Sequence, residues 1–304
     1  MKKYVLVFIL LFSSVFAYDV KIIYQDNKDG KVTPKSIEEE FRKSGFYISD
    51  NRDMNIPFKK QFDRTDFKTY NLFTLYHIES VYQLAKEYPS IGVFTPLSMS
   101  IYTKKGDDNI YVSFLTSDAI SKITKIPADN KYLKQIEMLI RKTLFNALPN
   151  GQYKALEYEI SKTKKPLTTK TSIKLDPKDW EEESEGLIEE FEAKLEEQGF
   201  VQASFTDINY DFKKKHSNKY DLFVSESICK LAVIYTVAKT RPEAGAFAPC
   251  SLAIYKKKGD DTLYLEYPNV YNWISSLSIE DKEATKILLD TQKKMEAILY
   301  EINE

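Results

Sequence analysis

Apolar residues recur along this chain in two rhythms, and each rhythm appears twice. Leu97, Met99 and Ile101 alternate with Ser98, Ser100 and Tyr102, and Cys250, Leu252 and Ile254 alternate with Ser251, Ala253 and Tyr255. Successive side chains of a strand point to opposite faces, so a period of two predicts a strand with one face on a core. Each strand runs into a polar turn holding Gly106 or Gly259. The alternation then resumes at Ile110, Val112 and Phe114, or at Leu263, Leu265 and Tyr267, which predicts a β-hairpin in each place.

The other rhythm is helical. Behind Thr33-Pro34, the residues Ile37, Phe41 and Gly45 lie four apart, and Leu187, Phe191, Leu195 and Gly199 repeat that spacing. Proline presets the first turn of a helix and glycine ends it, so both stretches predict amphipathic helices. Helices are also expected over 78–87, 132–148, 228–240 and 282–302. Short strands are expected over 18–24, 46–49, 167–175 and 200–204, and from Tyr70 and Tyr220 onward.

A repeated segment ties these elements together. Residues 92–108, GVFTPLSMSIYTKKGDD, return as residues 245–261, GAFAPCSLAIYKKKGDD, identical at eleven of seventeen positions. Average composition would give roughly one match. The pattern Asp-x-Asn-x-x-Phe-Lys-Lys occupies 53–60 and 207–214, and Tyr-x-Leu-Phe begins at Tyr70 and Tyr220. The chain therefore reads as two tandem copies of one α+β domain, with helices packed on an antiparallel-rich sheet. The copies span residues 18–150 and 166–304, with a polar, lysine-rich link at 151–165. Length differences between them fall in loops, which tolerate insertion.

Composition narrows the class. A hydrophobic fraction of 43% with 29% charged residues is that of a folded soluble chain, not a disordered one. The formal charge of −1 leaves no basic footprint for nucleic acid and no reason to expect a membrane surface as partner. Residues 1–17, MKKYVLVFILLFSSVFA, place two lysines ahead of an apolar run of nine and a small residue at Ala17. That order predicts a secretory signal peptide cut after Ala17. The run is too short for a bilayer span of roughly 20 residues. No cysteine precedes Cys229, so the mature chain is expected to be free of a lipid anchor, periplasmic or secreted, with no membrane span after cleavage.

Candidate chemistry is sparse. No metal site and no cofactor is expected: the two histidines, His77 and His216, have no Cys, His or carboxylate cluster at ligand spacing, and no phosphate loop or nucleophile elbow is present. His77 reads as a base or ligand, or as a strand-end residue with a satisfied side chain. Asn27, Asp29 and Gly30 form a solvated turn, because Gln25 and Ser36 stand where a calcium loop needs acidic ligands. The carboxylates between Glu181 and Glu197 fall on the outer face of their helix, a solvated face or a place for a metal or cationic partner. Export permits a disulfide between Cys229 and Cys250, while Cys250, on the apolar face of its strand, also packs well as a free thiol.

In the repeated Asp-x-Asn motif, Lys59 and Lys213 with Asn55 and Asn209 could hold an anionic ligand. The plainer reading has Asp and Asn capping turns, Phe anchoring a loop, and lysines in water. Tyr102 and Tyr255, on the outer face of their strands, could line a groove between the copies or belong to the core.

Taken in order, Gly-Phe after an amphipathic helix, Tyr-x-Leu-Phe, then Phe94-x-Pro96-x-Ser98 or Phe247-x-Pro249-x-Ser251, and a strand ending Ile-Tyr before a Gly-Asp turn, the chain resembles the domain-of-unknown-function family 302. The resemblance implies a compact α+β domain, often paired with another, here by intramolecular pairing of the two repeats. It implies no catalytic residues. The function expected is a non-enzymatic module binding a small molecule or a protein. The alternative is a hydrolase or lyase-type enzyme using Asp53 or Asp207 as acid or base with the motif lysines.

Overall fold

A computed structural model describes residues 18–217 and 219–303. The leader expected over 1–17 lies outside the described residues. The first half runs β1 (Val20–Asp26), α1 (Pro34–Lys43), β2 (Phe46–Asp53), α2 (Asn55–Phe62), β3 (Phe67–His77), α3 (Ile78–Ala85), a 3₁₀ segment (Pro89–Phe94), β4 (Leu97–Lys104), β5 (Asn109–Leu115), α4 (Ser117–Thr124), α5 (Lys131–Ala147) and β6 (Gln152–Tyr153). The second runs β7 (Thr168–Lys174), α6 (Trp180–Glu197), β8 (Val201–Asp207), α7 (Ile208–Lys214), β9 (Tyr220–Cys229), α8 (Leu231–Ala238), a 3₁₀ segment (Pro242–Ala246), β10 (Cys250–Lys257), β11 (Thr262–Pro268), α9 (Tyr271–Ser276) and α10 (Lys282–Glu301).

The fold is α+β, with two antiparallel sheets ordered β2-β3-β4-β5-β1-β6 and β7-β11-β10-β9-β8. Apart from the two-residue edge β6, the orders coincide: β8, β9, β10, β11 and β7 take the places of β2, β3, β4, β5 and β1. Local chemistry explains the element starts. Thr33 and Ser36 cap α1 reciprocally around Pro34, and the helix buries Ile37 and Phe41. Glu181, Glu182 and Glu183 occupy the first turn of α6, where carboxylates meet the positive end of the helix dipole, and the helix buries Phe191 and Leu195.

Each sheet buries one face under its own helices. Phe73 of β3 meets Phe41 of α1 edge-on with ring centroids 5.4 Å apart. In the second half Val224, Leu252, Ile254, Leu263 and Leu265 cluster with Phe191, Leu195, Met295 and Ile298 of α6 and α10.

The other faces are buried as well, which corrects the expectation of strands with a single buried face. Ser98, Ser100, Tyr102, Ser251, Ala253 and Tyr255 are all buried, because each half lays its 3₁₀ segment against the other's sheet. A Cβ on Gly92 would stand 2.7 Å from Ala253 Cβ, and one on Gly245 would stand 2.5 Å from Ser100 Cβ, so only glycine admits this approach. Hydroxyls stitch the contact in matching pairs. Ser98 Oγ donates to Pro249 O at 2.9 Å and Ser251 Oγ to Pro96 O at 3.1 Å. Tyr70 and Ser100 donate to Pro242 O, both at 3.0 Å, and Ser225 donates to Gly92 O at 3.0 Å. Tyr82 packs on Phe212 and Tyr235 on Phe58, with centroids 4.9 and 5.2 Å apart.

Two further expectations change. The Asp-x-Asn segments read as capped turns are short helices, α2 and α7. The register also displaces one alignment: Tyr70 pairs with Tyr102, but it is Phe223, not Tyr220, that pairs with Tyr255. The counterpart of Tyr70 in the sheet is thus Phe223, three residues beyond the match of Tyr-x-Leu-Phe motifs.

Candidate functional site

The repeated motifs shape the starts of two short helices. Asp53 accepts the Asn55 N–H at 2.9 Å and Asp207 accepts the Tyr210 N–H at 3.0 Å, so each carboxylate serves the start of its helix. Asn55 is buried, donating to Lys68 O at 3.3 Å and accepting from Thr65 Oγ1 at 2.7 Å; Asn209 donates to Asp221 O at 2.9 Å. Both asparagines pin the turn back to the following strand. Lys59 and Lys213 are exposed on α2 and α7.

His77 ends β3 and caps α3, with Nδ1 2.8 Å from Ser80 Oγ, and burial lowers its pKa. Cys229 and Cys250 carry free thiols, so the bridge considered for them is not formed. Both line an apolar pocket with Trp273 and Met295, and burial pushes each thiol up to about 12. Such thiols are poor nucleophiles. Among the described residues no group of three or more His, Cys, Asp or Glu could hold a metal ion.

Of the two tyrosines singled out in the sequence, Tyr102 lines a cavity. Tyr102 lies against a polar space of about 350 Å³ between the β4–β5 hairpin, the link at 154–158 and the second half's Thr240 to Glu243. The tyrosine is 2% exposed, and its hydroxyl has no hydrogen-bond partner. Burial, with Glu243 nearby, raises its pKa well above the usual value, so the hydroxyl is a neutral donor and acceptor. Around it the wall is fixed. Tyr158 donates to Glu243 Oε1 at 2.9 Å. The Arg241 guanidinium lies 4.6 Å from the Tyr158 ring centroid and is held by the carbonyls of Leu277 and Ser278 at 2.7 and 3.2 Å. Tyr111 stacks on Tyr102 at 5.0 Å and donates to Asp107 Oδ2 at 2.9 Å. Lys104, Lys154 and Glu157 complete the lining.

The corresponding place in the second half is filled. Lys170 Nζ donates to the Tyr255 hydroxyl at 2.7 Å and lies 4.3 Å from the Tyr264 ring centroid. Lys170 pairs with Glu266 where, in the first sheet, Ile22 pairs with Ser113. An isoleucine cannot reach out as a donor. The two tyrosines are equivalent in the repeat, yet one is satisfied by its own sheet and the other is buried beside the cavity without a partner. Sequence reasoning found the tyrosines but missed Ile22, Tyr158, Arg241 and Glu243; a comparison of the two first strands, β1 and β7, holds the signal for Ile22.

The class of protein so defined is an α+β chain whose two sheets bury a shared face beside a polar cavity. Residues 180–302, from α6 to the end of α10, match the family model described as domain of unknown function DUF302, and carry a DUF302 domain. Strand β7 lies ahead of the matched segment. Among solved structures, the chain is similar to the crystal structure of an uncharacterized conserved DUF302 protein from Bacillus stearothermophilus, at 18% identity and a TM-score of 0.38, covering 45% of this chain and 98% of that one. Among curated proteins nothing matches. No helix among the described residues is long and apolar enough to cross a membrane.

Proposed function

We propose that this chain is an exported tandem pair of DUF302-type domains, residues 18–150 and 166–304 joined by 151–165, that holds a polar small molecule beside Tyr102. The tandem reading is supported by the repeated segment and by the common strand order. Export is supported by the order of charge, apolar run and small residue over 1–17. The observation that carries the binding reading is the Tyr102 hydroxyl, buried without a partner against about 350 Å³ of space. Leaving such a group unbonded costs about 1–3 kcal/mol, which a ligand bonded to it recovers. The volume suits a compact molecule. Basic and acidic side chains both line the space, favouring a ligand that carries several hydrogen-bonding groups or both signs of charge. Among the described residues the lining contains no serine, cysteine or histidine, and burial beside Glu243 raises the Tyr158 pKa so that its phenol stays neutral, which favours binding over reaction.

Native mass spectrometry of protein purified from the exported fraction of its own host tests this reading. The expected result is a chain beginning at Tyr18 with an extra small-molecule mass that is lost on denaturation and absent from Tyr102→Phe. A wild-type chain carrying no ligand, or a Tyr102→Phe variant that retains it, would overturn the binding reading. A mass that includes residues 1–17 would overturn cleavage.

A further inference from the structure

A second cavity lies on the helix-covered side of the second sheet. Helix α6 and the edge strand β8 wall a groove of about 660 Å³ that has Glu226 of β9 in its lining. Glu226 has no exposed surface, and neither of its carboxylate oxygens has a hydrogen-bond partner.

The register explains how a carboxylate comes to lie there. Glu226 pairs with Leu252, and Phe73 pairs with Met99 at the same place in the first sheet. There Phe73 fills the layer by packing on Phe41. In the second half the residue corresponding to Phe41 in the helix repeat is Leu195. Leucine and glutamate thus replace two aromatic rings, and the vacated volume opens toward α6. A carboxylate in such a place is unfavourable unless a cation or a set of donors meets it.

The surroundings select the kind of cation. Leu195, Phe200 and Val201 give the groove apolar walls, and Glu189, Glu192 and Glu196 line it from the helix. Glu192 is oriented by Gln202 Nε2 at 2.9 Å. No three acidic, His or Cys side chains among the described residues are placed to share a metal ion, and a hard cation such as calcium needs six or more oxygens. An ammonium group needs only a few acceptors and carries its own apolar chain.

We propose that this groove binds a small aliphatic amine, its ammonium seated between Glu226 and Glu192 and its hydrocarbon against Leu195, Phe200 and Val201. The groups around Glu226 are Glu192 from α6, the neutral Gln202 and the apolar Phe205 from β8, and the apolar Leu252 from β10. Burial, reinforced by the Glu192 charge, pushes the Glu226 carboxyl up to about 7, so amine and proton compete for it near neutrality. An alkylammonium stays charged to about pH 10, so affinity rises about tenfold between pH 6 and pH 8.

Titration calorimetry on the mature chain with 1,4-diaminobutane, and separately with manganese chloride, decides the matter. The diamine should bind wild type more tightly at pH 8 than at pH 6. Glu226→Gln should lower affinity at least tenfold and abolish the pH dependence, and Glu192→Gln should weaken binding. Glu192→Gln carries the test if Glu226→Gln does not fold. Tyr102→Phe should leave diamine binding unchanged, which separates this site from the cavity between the halves. No heat with the diamine at pH 8, equal affinity in wild type and both glutamine variants, or binding of manganese in place of the diamine would overturn the proposal.

Discussion

At the scale of single residues, two substitutions of the same kind should behave differently. Tyr255→Phe removes a hydroxyl that accepts from Lys170 at 2.7 Å, and should lower stability by about 1 kcal/mol. Tyr102→Phe removes a hydroxyl with no partner, and should leave the melting temperature unchanged or slightly raised. Thermal unfolding of the two variants side by side reads the difference; equal losses would mean that the Tyr102 hydroxyl is bonded. Glu226 has a pH signature in stability too. Its carboxyl is raised from 4.5 to about 7, so its favourable contribution is fully present below pH 4.5 and is lost as pH rises through 7. The loss is on the order of 3 kcal/mol, and Glu226→Gln should match wild type near pH 4 and exceed it near pH 8 in urea unfolding. The repeat made Tyr102 and Tyr255 visible in the sequence. What divides them was not visible, because Ile22 and Lys170 lie some eighty residues away from the tyrosines they adjoin.

At the scale of elements, periodicity carried most of the fold. The hairpins β4–β5 and β10–β11 and the helices α1, α5, α6 and α10 lie where their apolar rhythm places them. The rhythm does not say what covers the second face of a strand. Ser98, Ser100 and Ala253 look like a solvent side because they are small or polar, and they are small because another backbone lies on them. Gly92 and Gly245 are the counterpart of that rule. Gly245→Ala would bring a Cβ to 2.5 Å from Ser100 Cβ and 3.2 Å from its Cα, so backbone must move. A loss of about 1–3 kcal/mol in unfolding free energy, read from urea unfolding, is expected, and a neutral result would show that the 3₁₀ segment slides freely. Helices α2 and α7 escaped notice because Asp and Asn at their starts read as turn residues and the motif lysines interrupt any apolar stripe. The three-residue slip in β9 escaped because Tyr-x-Leu-Phe matches itself convincingly out of register.

At the scale of the molecule, one buried cluster contains Tyr70, Leu72 and Tyr102 together with Phe223, Ala253 and Tyr255. Separating the halves would expose that face on both sheets. The described chain should therefore melt in one transition, with calorimetric and van 't Hoff enthalpies in agreement; two resolved transitions would show independent halves. The coinciding strand order of the two sheets is what the repeated segments led one to expect, whereas the cavity was not legible, since its wall draws on a hairpin, a link and a 3₁₀ segment that only packing brings together. An assembly of two identical subunits must carry every substitution at both symmetry-related places. Here the two places belong to one chain, so a lysine closes one and an isoleucine leaves the other open. The consequence is one of stoichiometry: a ligand for the Tyr102 cavity should saturate at a single equivalent per chain, although the architecture repeats.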